Sequence, residues 1–315
     1  MFLDPNNIKS WLKGPMIPMA TPFTEDFQLD LAAFSDNINF TIRHGITTGN
    51  GALLVGGAAG EHPLLNCEER KTIMSVAAEV ANNRVPILTS VQHTDPRVII
   101  ELAKHASKVG LQAIQVSPLY YYPSTNQDVL RLFKWISDEV DISIMVYNTW
   151  WLGFHIDKDL LNQLAEIKIV RALKWAASNE DSFKEILQSF NEKLVIYDNT
   201  DKVSLSHSLG AQGFVGHLGT CWPEYSLRTW ELLENKDYSS VKEHLDSFKS
   251  AWRRWIEKVG ILTAGEGPLV KTPMEIVGLK AGPPRPPGIR PPMPLIKELE
   301  QIMDSAGVPK IKNIT

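Results

Sequence analysis

Lys174 and Tyr147 are the residues of this sequence whose types and positions best fit one particular chemistry. Each stands at the carboxyl end of a short apolar run, Lys174 after residues 167–173 and Tyr147 after residues 142–146. A lysine amine can condense with a ketone to give a protonated Schiff base, which withdraws electrons from the neighbouring carbon. A tyrosine beside it can move the protons that imine formation and carbon–carbon cleavage require. The pair predicts imine chemistry if the fold brings the two side chains together.

The composition is typical of a soluble globular protein with a large core. Of the 315 residues, 43% are hydrophobic and 22% are charged, and the net charge is −4. No basic stripe indicates a nucleic-acid partner, and no apolar run of about 20 residues indicates a membrane span. The first residues lack the features of a secretory signal, so a cytoplasmic protein is expected. Cys67 and Cys221 are too few and too far apart for a disulfide framework or a zinc cluster.

Short apolar runs alternate with amphipathic segments eight times along the chain. The runs cover residues 16–20, 51–55, 85–91, 113–117, 142–147, 167–174, 194–197 and 213–215. Between them apolar residues recur at helical spacing, as Ile73, Val76, Ala77 and Val80 do. Eight strand–helix repeats predict an α/β protein with a (β/α)8, or TIM, barrel. A doubly wound open sheet is the alternative, although no Gly-x-Gly-x-x-Gly follows the first run.

The pattern changes after the eighth run. No further strand is predicted, and helical segments cover residues 224–234, 239–258, 272–279 and 295–306. Proline-rich connectors at residues 282–287 and 291–294 separate the last two. We therefore predict a barrel with the catalytic site over residues 1–220. A C-terminal helical extension over residues 221–315 would pack on it.

The residues that end strands are the site candidates, because catalytic groups of such a barrel lie at the carboxyl ends of its strands. Tyr147 and Lys174 end adjacent parallel strands, which are about 5 Å apart. Tyr120 follows the fourth run and Val215 ends the eighth. Each has an ordinary alternative: a lysine can extend to solvent, and a tyrosine can lie on the rim or at a subunit contact.

Two loop segments are further candidates. Successive amides in the turn Gly57-Ala58-Ala59-Gly60 could receive a carboxylate, although a plain turn is the simpler interpretation. Trp150, Trp151 and Leu152 follow Tyr147. They either pack in the core above the barrel or form an apolar wall of the substrate pocket.

The histidines do not suggest a metal centre. His62 and His93 are interpreted as surface histidines, and we expect neither a metal nor a cofactor. Ser204, Ser206 and His207 fall in a helical segment without the signature of a nucleophile elbow.

The order of motifs resembles the dihydrodipicolinate synthase / N-acetylneuraminate lyase family of Schiff-base barrel enzymes. The similarity covers about residues 14–292. Its motifs are Thr21-Pro22-Phe23, Gly57-Ala58-Ala59-Gly60-Glu61 in place of Gly-Thr-Thr-Gly-Glu, Ser117-Pro118-Leu119-Tyr120, Val146-Tyr147-Asn148, Leu173-Lys174 and Gly282-Pro283-Pro284-Arg285-Pro286-Pro287.

The resemblance implies a role for each site residue. Lys174 would form the imine with pyruvate or another 2-keto acid, and Tyr147 would be the acid/base. Tyr120 would join the proton relay, reaching in from a neighbouring subunit of a homodimer or homotetramer. The predicted substrate-binding residues are Gly57, Ala58, Ala59, Val215, Trp150 and Leu152.

The departures from the family pattern bear on the reaction. Ala58 and Ala59 replace two threonines, so proton transfer must use water or another group. Synthases carry an arginine for the second substrate's carboxylate shortly after the Tyr-Asn motif, whereas residues 149–154 hold no cation. Leu119 stands where many synthases have a tyrosine of their lysine-feedback site.

The leading hypothesis is a class I lyase or aldolase that joins or releases an apolar or aromatic aldehyde at the methyl carbon of pyruvate. Relatives that act on aromatic 2-keto acids, the hydratase-aldolases, are the first analogy. The alternatives are a sugar-acid aldolase, dihydrodipicolinate synthase proper, and a catalytically decayed barrel that serves as a binding or regulatory protein.

Overall fold

The eight predicted strand segments form one closed parallel barrel in the computed structural model, which describes residues 7–311. The strands are β1 (Gly14–Pro18), β2 (Ala52–Val55), β3 (Ile87–Ser90), β4 (Ala113–Val116), β5 (Ser143–Tyr147), β6 (Val170–Trp175), β7 (Val195–Asp198) and β8 (Gly213–Val215). Each strand pairs with the next, and β8 returns to β1 through Gly14 and Gly213. The predicted (β/α)8 barrel is confirmed, and the open sheet is wrong.

Helix α1 (Ile8–Trp11) precedes β1, and the other helices of the barrel follow their strands around the outside. They are α2 (Leu31–Arg43), α3 (Cys67–Ala81), α4 (Pro96–Lys108), α5 (Asn126–Glu139), α6 (Lys158–Ala165), α7 (Glu180–Phe190), α8 (Val203–Ser208) and α9 (Pro223–Glu234). Asn66 and Thr125 begin α3 and α5 with reciprocal capping boxes. Each such cap contributes about 1 kcal/mol, so these helix starts are encoded locally.

Alternation along the strands decides which side chains face the barrel interior. In β2, Leu53 and Val55 pack among helix residues in the outer layer. Ala52 and Leu54 belong to a separate cluster with Met16, the inner layer of the barrel. Because side chains alternate with a period of two, every second residue of each strand continues into the interior.

The barrel is closed at the amino ends of its strands. Ile8, Trp11 and Leu12, in and just after α1, are buried against the inner layer at this end. The opposite end, where the strands finish, therefore remains as the mouth of the barrel.

After α9, which falls within the extension predicted over residues 221–315, the chain adds helices α10 (Tyr238–Leu262), α11 (Gly267–Val277) and α12 (Met293–Ser305), and these three are called the extension below. The predicted start of α11 at residue 272 is wrong, because the helix begins at Gly267. Pro268 lies in its first turn, where a missing N–H costs nothing. Pro273 lies inside the helix and made the sequence look less helical than it is. The division of the chain at residue 220 stays a proposal.

A buried ion pair attaches the extension to the barrel. Lys271 of α11 lies 2.5 Å from the Glu61 carboxylate, and both side chains are buried. The Lys271 ammonium also donates to the Pro283 carbonyl and lies 4.0 Å from the centre of the Phe23 ring. Arg285 donates its backbone N–H to Glu61 and forms a bidentate pair with Glu69. The sequence motifs that contain Glu61 and Arg285 therefore hold the C-terminal extension on the barrel.

None of the helices within residues 7–311 is long and apolar enough to cross a bilayer.

Candidate active site

Lys174 and Tyr147 lie side by side inside the mouth of the barrel. The β5–β6 register pairs Tyr147 directly with Lys174. Each is two residues beyond a member of the inner layer, Met145 and Ala172, so both point into the barrel. The Lys174 Nζ lies 4.3 Å from the centre of the Tyr147 ring, and the residues are only 6% and 7% exposed. The geometry places an amine and a phenol in contact in a protected site.

Burial makes the Lys174 amine a better nucleophile at neutral pH. Loss of solvation lowers its pKa to about 8, against the opposing attraction of the Glu266 carboxylate. A lysine with this pKa has an appreciable neutral fraction near pH 7, which attack on a ketone requires.

Tyr147 is held in its neutral form. Burial raises the pKa of its phenol, the Glu266 carboxylate raises it further, and a hydrogen bond from Asn199 opposes the shift. The Asn199 amide donates to the phenol oxygen at 3.4 Å. At neutral pH Tyr147 is therefore a proton donor positioned beside the amine.

Glu266 and His217 belong to the site, and the sequence analysis missed both. His217 follows β8, and Glu266 precedes α11 of the extension. The His217 Nε2 lies 3.3 Å from the Glu266 carboxylate. Burial opposes ionisation of Glu266, but His217 and Lys174 bring its pKa below the usual range. The signal that could have found His217 was its place just after the eighth run, whereas Glu266 lies in a Gly-rich connector without strand context.

The turn after β2 presents Ala58 and Ala59 differently. Ala58 is exposed, whereas Ala59 is buried in the apolar cluster shared with the extension. Gly57 and Gly60 are buried, and the Thr21 hydroxyl donates to the Gly60 carbonyl at 2.8 Å. Two backbone hydrogen bonds close the turn. The Glu61 N–H donates to the Ala58 carbonyl, and the His62 N–H donates to the Gly57 carbonyl. The Ala58 side chain is a methyl group without a hydroxyl, so this position cannot pass a proton along a relay.

A buried polar layer lies beside this turn. The Gln92 amide donates to the Ser117 hydroxyl at 2.7 Å and accepts from Ser90. Arg70 of α3 donates to the carbonyls of Ser90 and Gln92. Burial raises the pKa of the half-buried Tyr120 phenol, and the positive charge of Arg70 opposes this shift. In this single chain the structure does not place Tyr120 in contact with Lys174 or Tyr147.

The loop after β5 carries its aromatic side chains outward. Trp150, Trp151 and Leu152 form a single 3₁₀ turn and are 37%, 46% and 47% exposed. Core packing, one of the two alternatives, is therefore wrong for them. The Trp151 ring meets the Tyr147 ring edge-on at 5.8 Å, so the loop adjoins the reacting groups.

Val215 lines a small cavity beside the mouth. The cavity is about 120 Å³ and also contacts His217 and Trp252. A larger cavity of about 850 Å³ lies at the opposite end of the barrel, near Gly110 and Arg171, away from the predicted site residues.

His62 is not a surface residue, and that interpretation is wrong. It is buried, and burial lowers the pKa of its imidazole to about 4. His62 follows the turn at residues 57–60, and the negative charge of Glu266 opposes part of this lowering of its pKa. A separate group of possible metal ligands, Cys67, Glu68 and Glu101, lies on the exposed side of α3 and α4, where Lys71 already pairs with both carboxylates.

Comparison with known proteins agrees with this arrangement. The model of the dihydrodipicolinate synthetase family matches residues 11–304. The chain belongs to this family. It is 27% identical over 274 residues to 4-hydroxy-tetrahydrodipicolinate synthase of Clostridium perfringens, covering 86% of this chain and 90% of that enzyme. It is 31% identical over 199 residues to synthase 1 of Halalkalibacterium halodurans, covering 62% and 66% respectively.

The fold comparison extends over nearly the whole chain. The structure of dihydrodipicolinate synthase from Acinetobacter baumannii, complexed with pyruvate, superposes with a TM-score of 0.85 at 22% identity and covers 94% of this chain and 99% of that one. As a member of the dihydrodipicolinate synthetase family, the protein is of the class I lyase and synthase type.

Proposed function

We propose that this protein is a class I lyase that makes or breaks a carbon–carbon bond at the methyl carbon of pyruvate, or the equivalent carbon of another 2-keto acid. The observation that carries the proposal is the buried Lys174 amine against the Tyr147 ring at the mouth of the barrel. Its lowered pKa supports a nucleophilic role.

The residues support a complete reaction cycle. The Lys174 amine adds to the keto carbon, and the keto oxygen takes up protons and leaves as water, giving the iminium ion. In cleavage, the hydroxyl of the departing carbon loses its proton, and the electrons of the broken bond form an enamine on the Lys174 nitrogen. Tyr147, having given its proton to the departing keto oxygen when the iminium formed, would take up the proton that this hydroxyl loses. Protonation of the enamine carbon and hydrolysis release the keto acid.

The keto acid's carboxylate has a receptor in the turn after β2. We assign it to the backbone around Gly57, Ala58 and Ala59, because amides and the exposed Ala58 position leave room for an anion near the mouth. Tyr120 would enter the proton path from a second subunit, and Val215 would complete the pocket wall. Water would replace the missing hydroxyl at position 58.

The second substrate is proposed to be an uncharged, apolar or aromatic aldehyde. No lysine or arginine occurs in residues 149–154, and Trp151 lies against Tyr147. A carboxylate there would lack a bidentate partner and face apolar side chains. This argues against the synthase reaction named for the relatives, which is the second candidate, and a sugar acid would find few hydroxyl partners in this loop.

Replacing Trp150 by alanine should weaken the use of aromatic aldehydes about tenfold in kcat/KM and leave small aldehydes nearly unchanged, because the apolar wall is lost. Steady-state kinetics with a paired aromatic and aliphatic series would measure this. Met293→Ala, at an exposed position at the start of α12, is the control for loss of a large exposed apolar side chain. Equal losses for every aldehyde would make Trp150 a structural residue.

We also propose a homodimer or homotetramer. Tyr121 and Tyr122 are 83% and 77% exposed and adjoin Trp135, a patch that favours association with a second copy. Sedimentation equilibrium should give a mass of at least two chains, and replacement of Tyr122 by lysine should lower that mass. A monomer at micromolar concentration would contradict the proposal.

Borohydride reduction in the presence of pyruvate tests the proposed function directly. The intact mass should increase by one reduced pyruvate adduct, and peptide mapping should place it on Lys174. If the folded protein gives no adduct with pyruvate or with other 2-keto acids, the lyase proposal fails and a barrel that binds without catalysis is the better interpretation.

A further inference from the structure

Asn199 lies at the mouth of the barrel, directly after β7. Tyr197, two residues earlier, belongs to the inner layer of the barrel. The Asn199 side chain also points inward, because its amide donates to the Tyr147 phenol oxygen at 3.4 Å. Tyr147 ends β5, so this contact joins two strands that have β6 between them. Asn199 therefore meets the proposed acid/base across the strand that carries Lys174.

Three side chains contact Tyr147 in different ways. The Lys174 Nζ lies 4.3 Å from the centre of its ring, and the Trp151 ring meets it edge-on at 5.8 Å. Asn199 instead contacts the phenol oxygen. Among the residues that the structure describes, no other side chain hydrogen-bonds to this oxygen. The atom that would exchange the proton is thus held by Asn199.

The loop that carries Asn199 is fixed by its own hydrogen bonds. The Asn199 N–H donates to the Trp175 carbonyl at 2.9 Å, which ties the loop to the end of β6. The buried Asp198 carboxylate accepts from the Thr200 N–H and hydroxyl, each at 2.6 Å. It also accepts from the Ser206 hydroxyl at 2.9 Å. The position of the Asn199 side chain is therefore set by the fold itself.

Imine formation places a negative charge on the Tyr147 oxygen. In the proposed cycle the phenol gives its proton to the departing keto oxygen, which leaves as water, and a phenolate remains. Tyr147 is only 7% exposed, and a buried anion is costly unless a hydrogen-bond donor reaches it. Hydrogen bonds to a charged oxygen are shorter and stronger than those to a neutral one. The contact with Asn199 is therefore expected to tighten as the charge develops.

Resting on the proposed lyase function, we propose that Asn199 is the positioning residue that orients the Tyr147 phenol and stabilises its phenolate during imine formation. It acts through Tyr147 and forms no bond to the substrate. A carboxamide does not pass protons on, so this role is separate from that of the water proposed at position 58. In agreement, the hydrogen bond from Asn199 lowers the pKa of the phenol against the effect of burial.

The experiment compares imine formation with pyruvate in the wild-type protein, Asn199→Ala and Asn199→Asp. Cyanoborohydride is added at concentrations above which the rate no longer rises, and the reduced adduct is followed by mass spectrometry near neutral pH. Asn199→Ala should form the adduct about tenfold more slowly, because a hydrogen bond to a developing charge is lost. Asn199→Asp keeps the shape of the side chain but presents a carboxylate to the phenolate, and should be slower still.

A double-mutant cycle shows whether Asn199 acts through Tyr147. In a Tyr147→Phe background the phenol oxygen is absent, so Asn199→Ala should change the rate by less than about twofold. A residue that only supported the fold would cost the same factor in both backgrounds. Asn162→Ala removes an exposed asparagine side chain on α6 and should keep the wild-type rate. Should Tyr147→Phe form too little adduct to measure, the ranking of wild type, Asn199→Ala and Asn199→Asp decides alone.

The outcomes separate this inference from the proposed function. If the wild-type protein traps pyruvate and folded Asn199→Ala does so at a similar rate, Asn199 has no such role and the lyase proposal stands. A wild-type rate in Asn199→Asp would show that the side chain accepts from the neutral phenol, and the inference also fails. An equal loss from Asn199→Ala in both backgrounds contradicts it as well. If the wild-type protein traps no keto acid, the underlying function fails and the inference with it.

Discussion

Replacing Lys174 by alanine should reduce the cleavage or formation of any 2-keto acid product on the order of 10⁴-fold, because the amine that forms the imine is lost. The variant should also give no adduct on borohydride trapping with pyruvate. Lys174 lies at the end of β6, at the mouth of the barrel, so the fold should tolerate the change. Turnover assays together with intact mass would measure both effects.

Lys168 provides a matched control for this substitution. It is exposed and precedes β6, at the opposite end of the same strand. Lys168→Ala should retain turnover within a factor of about two, since its side chain lies far from the mouth. If Lys174→Ala keeps the wild-type rate with a substrate that the wild-type protein uses, the imine assignment is wrong.

Replacing Lys271 by methionine should lower the free energy of unfolding by about 3–5 kcal/mol, since it leaves the Glu61 carboxylate buried without its cation. The melting temperature should fall on the order of 5–10 °C. The loss should also loosen the packing of α11 on the barrel, because Lys271 links this helix to Glu61 and to the Pro283 carbonyl. Differential scanning calorimetry and denaturant titration would measure the change.

Two further variants serve as controls, one that removes both charges of the buried pair and one that breaks an ion pair on the surface. Glu61→Gln combined with Lys271→Met removes both charges, while the amide oxygen of the introduced glutamine still accepts the Arg285 N–H, and most of the lost stability should return. Lys258→Met breaks the exposed pair with Glu298, 2.7 Å long, and should cost at most about 1 kcal/mol. Equal losses for Lys271→Met and Lys258→Met would show that the buried pair has no special role.

The repeating pattern of the sequence was sufficient to predict the eight alternating strands and helices and to favour a barrel over an open sheet. Apolar runs of strand length alternating with amphipathic helices reflect local burial, which depends on neighbours close in sequence. The rule that catalytic groups end strands then selected Tyr147 and Lys174, and the structure places them in contact. Their catalytic roles stay predictions. The closure of the sheet into a barrel followed only from the pairing of β8 with β1.

Other features depended on contacts that local patterns do not contain. The environment of His62 is set by packing between the turn after β2 and the extension, so a lone histidine in the sequence looked like a surface residue. The start of α11 was hidden because Pro273 lies inside the helix, where a proline usually breaks it, and tertiary packing stabilised the helix regardless. The exposure of Trp150 could not be inferred from its type, since a tryptophan fits a core as well as a pocket wall.

The amino-acid order was enough to establish the alternation of strands and helices, the strand ends that carry Tyr147 and Lys174, and the lack of a cation in residues 149–154. All of these are properties of single residues or of short segments. Only the folded chain shows that Glu266 pairs with His217, from which it is far removed in sequence, and that Lys271 and Arg285 anchor the extension on Glu61. Those contacts join distant segments, and the packing of the extension on the barrel is what brings them together.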